Sequence, residues 1–132
     1  MMIYTTTDPR IDPEIKFLLD TNPDLSIEGW SKKGTYPLAA FAQNEDFPDD
    51  RAKLYSPEAQ EQIWTAIKFC RNADIHPKVN SYVVKHAMER WARERGLPSY
   101  ISNGCAIAGA MVCGYKAVKI RNSLNCYLRR SR

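Results

Sequence analysis

The sequence predicts an α+β fold that is mostly α, a helical domain with a small C-terminal β-hairpin. Three stretches after residue 56 place apolar residues at helical spacing, and two short stretches near the C-terminus alternate polar and apolar residues around a turn-prone tetrapeptide. Hydrophobic residues make up 44% and charged residues 26% of the 132 residues, which is ordinary for a globular domain. We therefore expect residues 1–132 to form a single domain.

The first 55 residues are predicted to be an irregular segment with short helices, because five prolines interrupt them. An aspartate followed by a proline opens the stretch 12–19, and this pair is typical of a helix start. A serine at the start of 26–34 predicts a second short helix that ends at a glycine. The acidic stretch 44–50, NEDFPDD, predicts a surface loop. We expect this segment to wrap against the helical core.

Helices are predicted over 57–71, 80–95 and 103–113. The first follows Ser56, an N-cap residue with a proline behind it. The second has a broad apolar face, charged side chains at i,i+4 intervals on the opposite side, and Gly96 as its terminator. The third contains no charged residue and is rich in small residues, so we expect it to be buried on most sides.

The hairpin is predicted from KAVKIR, residues 116–121, and CYLRR, residues 126–130. It lies in the basic half of the chain. Residues 1–62 carry 6 lysines and arginines against 12 aspartates and glutamates, whereas residues 63–132 carry 13 against 3. No acidic residue follows Glu94. Either the two halves pack together and neutralise each other, or the basic half forms a face that binds a polyanion.

The order helix, helix, turn, helix and basic hairpin over 57–132 resembles a winged helix-turn-helix arrangement. That resemblance implies DNA binding, in which a recognition helix reads base edges in the major groove. The chain departs from the pattern, because the helix over 103–113 has no Arg, Lys, Gln or Glu. We therefore expect phosphate contact rather than sequence readout. The segments SYVVKHAMERW, SYISNGCAIAGAM, GYK and NSLNCY are also similar to small uncharacterised phage and plasmid proteins, which implies a mobile-element origin.

These observations favour a small nucleic-acid-binding or regulatory protein that contacts the phosphates of DNA or RNA. Ser102 and Asn103 are included among the binding candidates because the N–H groups at a helix N-terminus can hold a phosphate. The other candidates are the cations of the basic half: Arg90, Arg93, Lys116, Lys119, Arg121, Arg129 and Arg130. The alternative is a small interaction protein that binds and modulates a host protein.

The cysteines predict neither a metal site nor a cofactor. They stand at 70, 105, 113 and 126, without a C-x-x-C pair or zinc-ligand spacing. A third hypothesis is a thiol-dependent enzyme with Cys105 as the nucleophile and His86 as its base. The simpler interpretation makes Cys105 a buried core residue. We find no signal-peptide pattern and no stretch long enough to span a bilayer, so we expect a cytoplasmic protein with reduced thiols, bound to no membrane.

Overall fold

A computed structural model describes residues 12–31, 44–73, 75 and 78–130, with Arg130 described by its backbone only. The described helices are α1 (Pro13–Asp20), α2 (Phe47–Ala52), α3 (Pro57–Asn72), α4 (Ser81–Glu94) and α5 (Asn103–Val112). The described strands are β1 (Leu25–Ser26), β2 (Gly29–Trp30), β3 (Lys78–Asn80), β4 (Tyr115–Lys119) and β5 (Cys126–Arg130). The predicted α+β fold class, mostly α with a small C-terminal sheet, is confirmed.

The three principal helices lie where the sequence predicts them, because each begins at a side chain that caps its free amides. α3, α4 and α5 begin and end within one residue of the predicted bounds. The cap oxygens of Ser56, Asn80 and Ser102 accept hydrogen bonds from the amides of Ala59, Tyr82 and Cys105 at 3.1, 2.8 and 3.1 Å. Such side chains satisfy N–H groups that have no partner within the helix.

α5 lies at the centre of the molecule, and every residue from Gly104 to Ala110 is buried. It packs most extensively against α3 and also contacts α1, α4, β2 and β4. A methyl group added at Gly109 would overlap the Cβ of Ala66 and lie 3.0 Å from the Ile63 carbonyl oxygen. The small residues of α5 therefore allow its backbone to approach α3 closely. The prediction that this helix is mostly buried is confirmed.

The C-terminal sheet has three antiparallel strands in the order β3-β5-β4. β4 and β5 form the predicted hairpin, with β4 ending two residues before the predicted bound at 121. β3 is a strand that the sequence does not reveal, since three residues are too few to show an alternating pattern. Val79, Leu128 and Ala117 are paired across the three strands, and Leu128 at the centre is completely buried. These residues attach the sheet to the helical core.

Two predictions for the N-terminal segment are wrong. The start of the predicted helix over 26–34 is instead a tight antiparallel turn formed by β1 and β2, while residues 32–34 lie outside the described residues. Gly29 has a φ of +135°, a left-handed conformation that a helix does not contain. The predicted acidic loop over 44–50 contains the start of α2, where Phe47 and Asp50 are buried. The predicted helix over 12–19 is confirmed as α1.

Arg51 of α2 joins the elements of the N-terminal segment. Its guanidinium donates hydrogen bonds to three carbonyl oxygens, those of Leu19, Leu25 and Asn22, at 2.6, 2.9 and 3.2 Å. The Leu19 carbonyl lies at the end of α1 and the Asn22 carbonyl in the turn that follows, whereas the Leu25 carbonyl belongs to β1. A cation is favourable at a helix C-terminus, where carbonyl groups lack partners within the helix. The sequence gives no sign of this contact, because it spans about thirty residues.

Candidate functional site

The pairing of the C-terminal strands brings three cations together in one row. Lys78 on β3 and Lys116 on β4 are both paired with Arg129 on the central strand β5. Directly paired residues of antiparallel strands point to the same face, with Cβ atoms about 5 Å apart. We call these three residues the basic row. Lys78 and Lys116 are exposed, and Arg129 is partly exposed.

The neighbouring row on the same face carries an exposed aromatic ring. Asn80, Tyr127 and Val118 follow the basic row at an interval of two residues along their strands, so they share its face. The Tyr127 side chain is 37% exposed, and the Lys78 Nζ atom lies 4.8 Å from the centre of its ring. We call the two rows together the outer sheet face.

In the described part of the chain, the two lysines of the basic row are not opposed by a carboxylate. Within residues 12–31, 44–73, 75 and 78–130, no carboxylate lies within ion-pair distance of Lys78 or Lys116. Lys78 and Lys116 can therefore pair with an anion from outside the protein.

Lys119 and Arg121 lie outside the basic row. Alternation along β4 places Lys119 on the opposite face from Lys116. There the Lys119 Nζ atom lies 3.2 Å from Asp24 Oδ2 and 5.1 Å from the centre of the Trp30 ring. Arg121 is exposed in the turn after β4. Arg130 is paired through its backbone with Tyr115, and its side chain lies outside the described part of the chain.

Arg90 and Arg93 form a separate basic cluster. Both are exposed on α4, which begins directly after β3. A helix rises 1.5 Å per residue, so Arg90 lies about 14 Å along the axis from Ser81. The structure therefore places Lys116 and Arg129 beside Lys78, a residue that the sequence does not single out. The two arginines of α4 lie apart from these three residues.

The amides around Ser102 and Asn103 are engaged within the protein. The N–H groups of Ser102, Gly104 and Cys105 donate to Gln62 Oε1, the Ile27 carbonyl and the Ser102 hydroxyl at 2.9, 3.1 and 3.1 Å. The Asn103 side-chain amide donates to the Leu124 carbonyl at 3.1 Å and to Asn125 Oδ1 at 3.0 Å. Because these groups already have partners, the start of α5 connects parts of the fold and offers few donors to a phosphate.

Cys105 and His86 have contacts that do not bring them together. Cys105 is completely buried, its Sγ atom lies 3.8 Å from the Ala59 carbonyl oxygen, and burial raises its pKa to about 12. His86 is exposed on α4, with its Nδ1 atom 3.3 Å from Glu89 Oε1 and its ring against Tyr82. A protonated, inaccessible thiol is a poor nucleophile, which favours the core interpretation of Cys105.

Cys113 is the thiol with the greatest expected reactivity. A hydrogen bond with Cys70 lowers the pKa of Cys113 below its ordinary value; burial opposes this effect and the charge of Arg71 adds to it. The same contact and burial raise the pKa of Cys70. Cys113 is also partly exposed, at the end of α5. It therefore combines access with thiolate character, the two conditions for a reactive cysteine.

We expect iodoacetamide to modify Cys113 before the other three cysteines at pH 7. Its rate of modification should fall as pH decreases, with a midpoint below the usual cysteine pKa of about 8.5, because only the thiolate reacts. Peptide mass spectrometry after timed alkylation measures each site. Cys70→Ala serves as a control that should move the midpoint up toward the usual value of about 8.5. Modification of Cys105 at the rate of Cys113 would contradict the prediction.

Comparison of the chain with family models, with curated proteins and with solved structures gave no match. Among the described residues, no helix is long and apolar enough to cross a membrane. The described residues likewise contain no group of three or more His, Cys, Asp and Glu side chains that could hold a metal ion.

Proposed function

We propose that the protein binds DNA or RNA through the outer sheet face and contacts mainly phosphates. The observation that carries this proposal is the basic row, three cations on three adjacent strands with an exposed tyrosine beside them. Lysine and arginine contacts with phosphates supply most of the sequence-independent affinity for nucleic acids. An exposed aromatic ring adds a surface on which a base can stack.

The dimensions of the basic row are compatible with a nucleic-acid strand. Adjacent strands of a sheet lie about 4.8 Å apart, so the row spans roughly 10 Å. Successive phosphates of one strand of a duplex rise 3.4 Å along the helix axis and also turn about it, so a row of this length can contact more than one phosphate. Phosphates bound there would pair with Lys78 and Lys116, which have no carboxylate beside them among the described residues.

The proposed binding depends little on base sequence. α5 is buried and cannot enter a groove as a recognition helix does. On the outer sheet face, the one amide side chain is that of Asn80, whose Oδ1 atom already caps α4. Phosphate contacts fix the position of a protein on a nucleic acid without reading its bases. Arg90, Arg93 and Arg121 would extend the positive surface on longer strands.

The proposal includes a reducing, cytoplasmic environment. The four cysteines are free, and Cys70 lies in hydrogen-bond contact with Cys113. Two neighbouring thiols remain unoxidised most readily where glutathione and thioredoxin keep them reduced.

The proposal predicts a steep loss of binding as salt concentration rises. Each phosphate contact contributes about 0.9 to the slope of log K against log salt for duplex DNA and about 0.7 for a single strand. Lys78→Ala combined with Lys116→Ala should reduce the slope by between one and two units and weaken binding about tenfold at low salt. Fluorescence anisotropy of labelled duplex DNA, single-stranded DNA and RNA across a salt series measures both quantities.

A matched variant tests whether the position of the two charges matters beyond their contribution to net charge. Lys68→Ala combined with Arg71→Ala removes the same two positive charges from exposed positions on α3. We expect this control to change affinity less than twofold. Equal weakening by both pairs, or no detectable binding of the unmodified protein to any of the three nucleic acids at low salt, would overturn the proposal.

A further inference from the structure

An open cleft of about 690 Å³ lies at the end of the C-terminal sheet, where β3 continues into α4. Tyr82 at the start of α4 and Tyr100 in the connection to α5 line one part of it, and the 122–125 connection between β4 and β5 lines another. Its volume is within the range of sites that hold small organic ligands. The cleft is distinct from the outer sheet face, and none of the residues of that face lines it.

The 122–125 connection is held in place by hydrogen bonds. The Asn103 side-chain amide donates to the Leu124 carbonyl and to Asn125 Oδ1, and the Asn125 amide donates to the Ser123 hydroxyl at 3.0 Å. The Leu124 carbonyl also accepts a hydrogen bond from the Trp30 amide at 2.8 Å. This part of the cleft is therefore preformed, which lowers the entropic cost of binding a ligand.

Amide groups on this connection remain available to a ligand. The NH₂ groups of Asn122 and Asn125 have no hydrogen-bond partner among the residues that the structure describes. Asn122 has a φ of +58°, a left-handed conformation that asparagine tolerates better than most residues. Amide side chains combine donors with an acceptor, the combination that hydrogen-bonds the edges of nucleobases.

The two tyrosines leave unusually large aromatic surfaces open. Tyr82 is 52% exposed and Tyr100 is 67% exposed. The Lys85 Nζ atom lies 5.3 Å from the centre of the Tyr100 ring and 2.7 Å from Glu89 Oε2, which also accepts from the Ile101 amide. Glu89 thereby fixes the chain beside Tyr100.

The cleft begins where the outer sheet face ends. Tyr82 follows Asn80 by two residues, and Asn125 precedes Tyr127 by two residues. Asn80 and Tyr127 are paired members of the outer sheet face. The backbone of the outer sheet face therefore continues directly into the lining of the cleft.

We propose that the cleft binds one unstacked base of a single-stranded nucleic acid whose phosphates contact the basic row. This inference rests on the proposed function and specifies its ligand. The base would stack against Tyr82 or Tyr100 and hydrogen-bond the amides of Asn122 and Asn125. A base inside a duplex is paired and stacked, and removing it from the duplex costs several kcal/mol. The protein thus prefers single strands to duplexes.

Anisotropy measurements on a labelled 20-nucleotide single strand and on its duplex test the preference at one salt concentration. We expect the unmodified protein to bind the single strand about tenfold more tightly. Tyr82→Ala combined with Tyr100→Ala should weaken single-strand binding at least fivefold, since stacking on an aromatic side chain is a major contribution per base. Binding of the duplex should change less than twofold.

Two controls separate stacking from general effects of the substitutions. Tyr82→Phe combined with Tyr100→Phe keeps both rings and should retain most single-strand affinity. Phe17→Ala removes an aromatic side chain that is 69% exposed on α1, away from the cleft lining, and should have no effect. Circular dichroism verifies that each variant is folded, as the exposure of these side chains leads us to expect.

The outcomes distinguish this inference from the proposed function. Equal affinity for single strand and duplex, with no effect of the tyrosine substitutions, would overturn the cleft as a base site. If Lys78→Ala with Lys116→Ala still weakened binding in that case, the proposed function would stand. A single strand with abasic residues throughout gives an independent measure, because it keeps the phosphates but loses every base that could enter the cleft or stack on Tyr127. It should therefore bind no more tightly than the intact strand binds the tyrosine variant. Unchanged affinity for the abasic strand would also contradict the inference.

Discussion

Gly104→Ala is expected to reduce the free energy of unfolding by about 3 kcal/mol or more, although alanine is the better helix former by about 1 kcal/mol. Gly104 lies in the first turn of α5, and its N–H group donates to the Ile27 carbonyl at 3.1 Å. A methyl group there would overlap the Ser26 carbonyl oxygen. Because this obstacle is backbone, the turn between β1 and β2 would have to move away and lose its contact with α5.

Urea denaturation followed by circular dichroism measures this change. Gly96→Ala is the matched control, since it adds the same methyl group at a position with no atom within 4 Å. Gly96 has a φ of +69°, so the control should cost about 1 kcal/mol from backbone strain alone. A Gly104→Ala protein as stable as the unmodified one would show that β1 and β2 do not pack against α5 in this way.

Arg51→Ala is expected to have the second largest effect, a loss of about 3 kcal/mol in the free energy of unfolding. The substitution removes the donor of three hydrogen bonds to the carbonyls that end α1 and begin β1. It also removes the contact between Nη2 of Arg51 and the Tyr55 hydroxyl, at 3.1 Å. Hydrogen bonds from a charged donor contribute more than neutral ones, and acceptors left unpaired add to the cost.

The same denaturation experiment tests Arg51. Arg51→Lys keeps the charge, but an ammonium group cannot reach three carbonyls as a planar guanidinium does. The stability of this variant should therefore lie between that of the unmodified protein and that of Arg51→Ala. Arg90→Ala, an exposed arginine on α4, should change stability by less than about 0.5 kcal/mol. If Arg51→Ala behaved like Arg90→Ala, the guanidinium would not be holding the N-terminal segment together.

The elements that the sequence predicts correctly are those whose signals are local. Ser56, Asn80 and Ser102 mark the starts of α3, α4 and α5 because a cap side chain acts within three residues of itself. The absence of charge in α5 similarly indicates burial. The wrong predictions concern the segment before residue 56, where tertiary packing decides the structure. Phe47 is buried within an otherwise acidic stretch, and that burial turns a predicted loop into part of α2.

Some residues of the candidate site are likewise predictable from local sequence signals, and others are not. Lys116 and Arg129 are predictable from the alternating strands of a hairpin, and Tyr127 follows from the same alternation two residues before Arg129. Lys78 is not predictable, because its place beside Arg129 depends on pairing between strands that are far apart in the sequence. Lys119 looks equivalent to Lys116 by charge, yet the acidic N-terminal segment places Asp24 against it. Long-range packing therefore determines which lysines of β3 and β4 have a carboxylate beside them.

The position of β5 between β4 and β3 has a consequence for the order of folding. The β4–β5 hairpin closes a short loop and is the kind of contact that forms within microseconds. β3 and β5 are separated along the chain by α4, α5 and β4, so their pairing closes a longer loop. Closing a longer loop costs more conformational entropy, and we expect this pairing to form later. A partly folded chain would hold Lys116 and Arg129 together without Lys78. The third cation joins the row only when β3 pairs with β5, so we expect full affinity for an anionic strand to appear later in folding than the β4–β5 hairpin does.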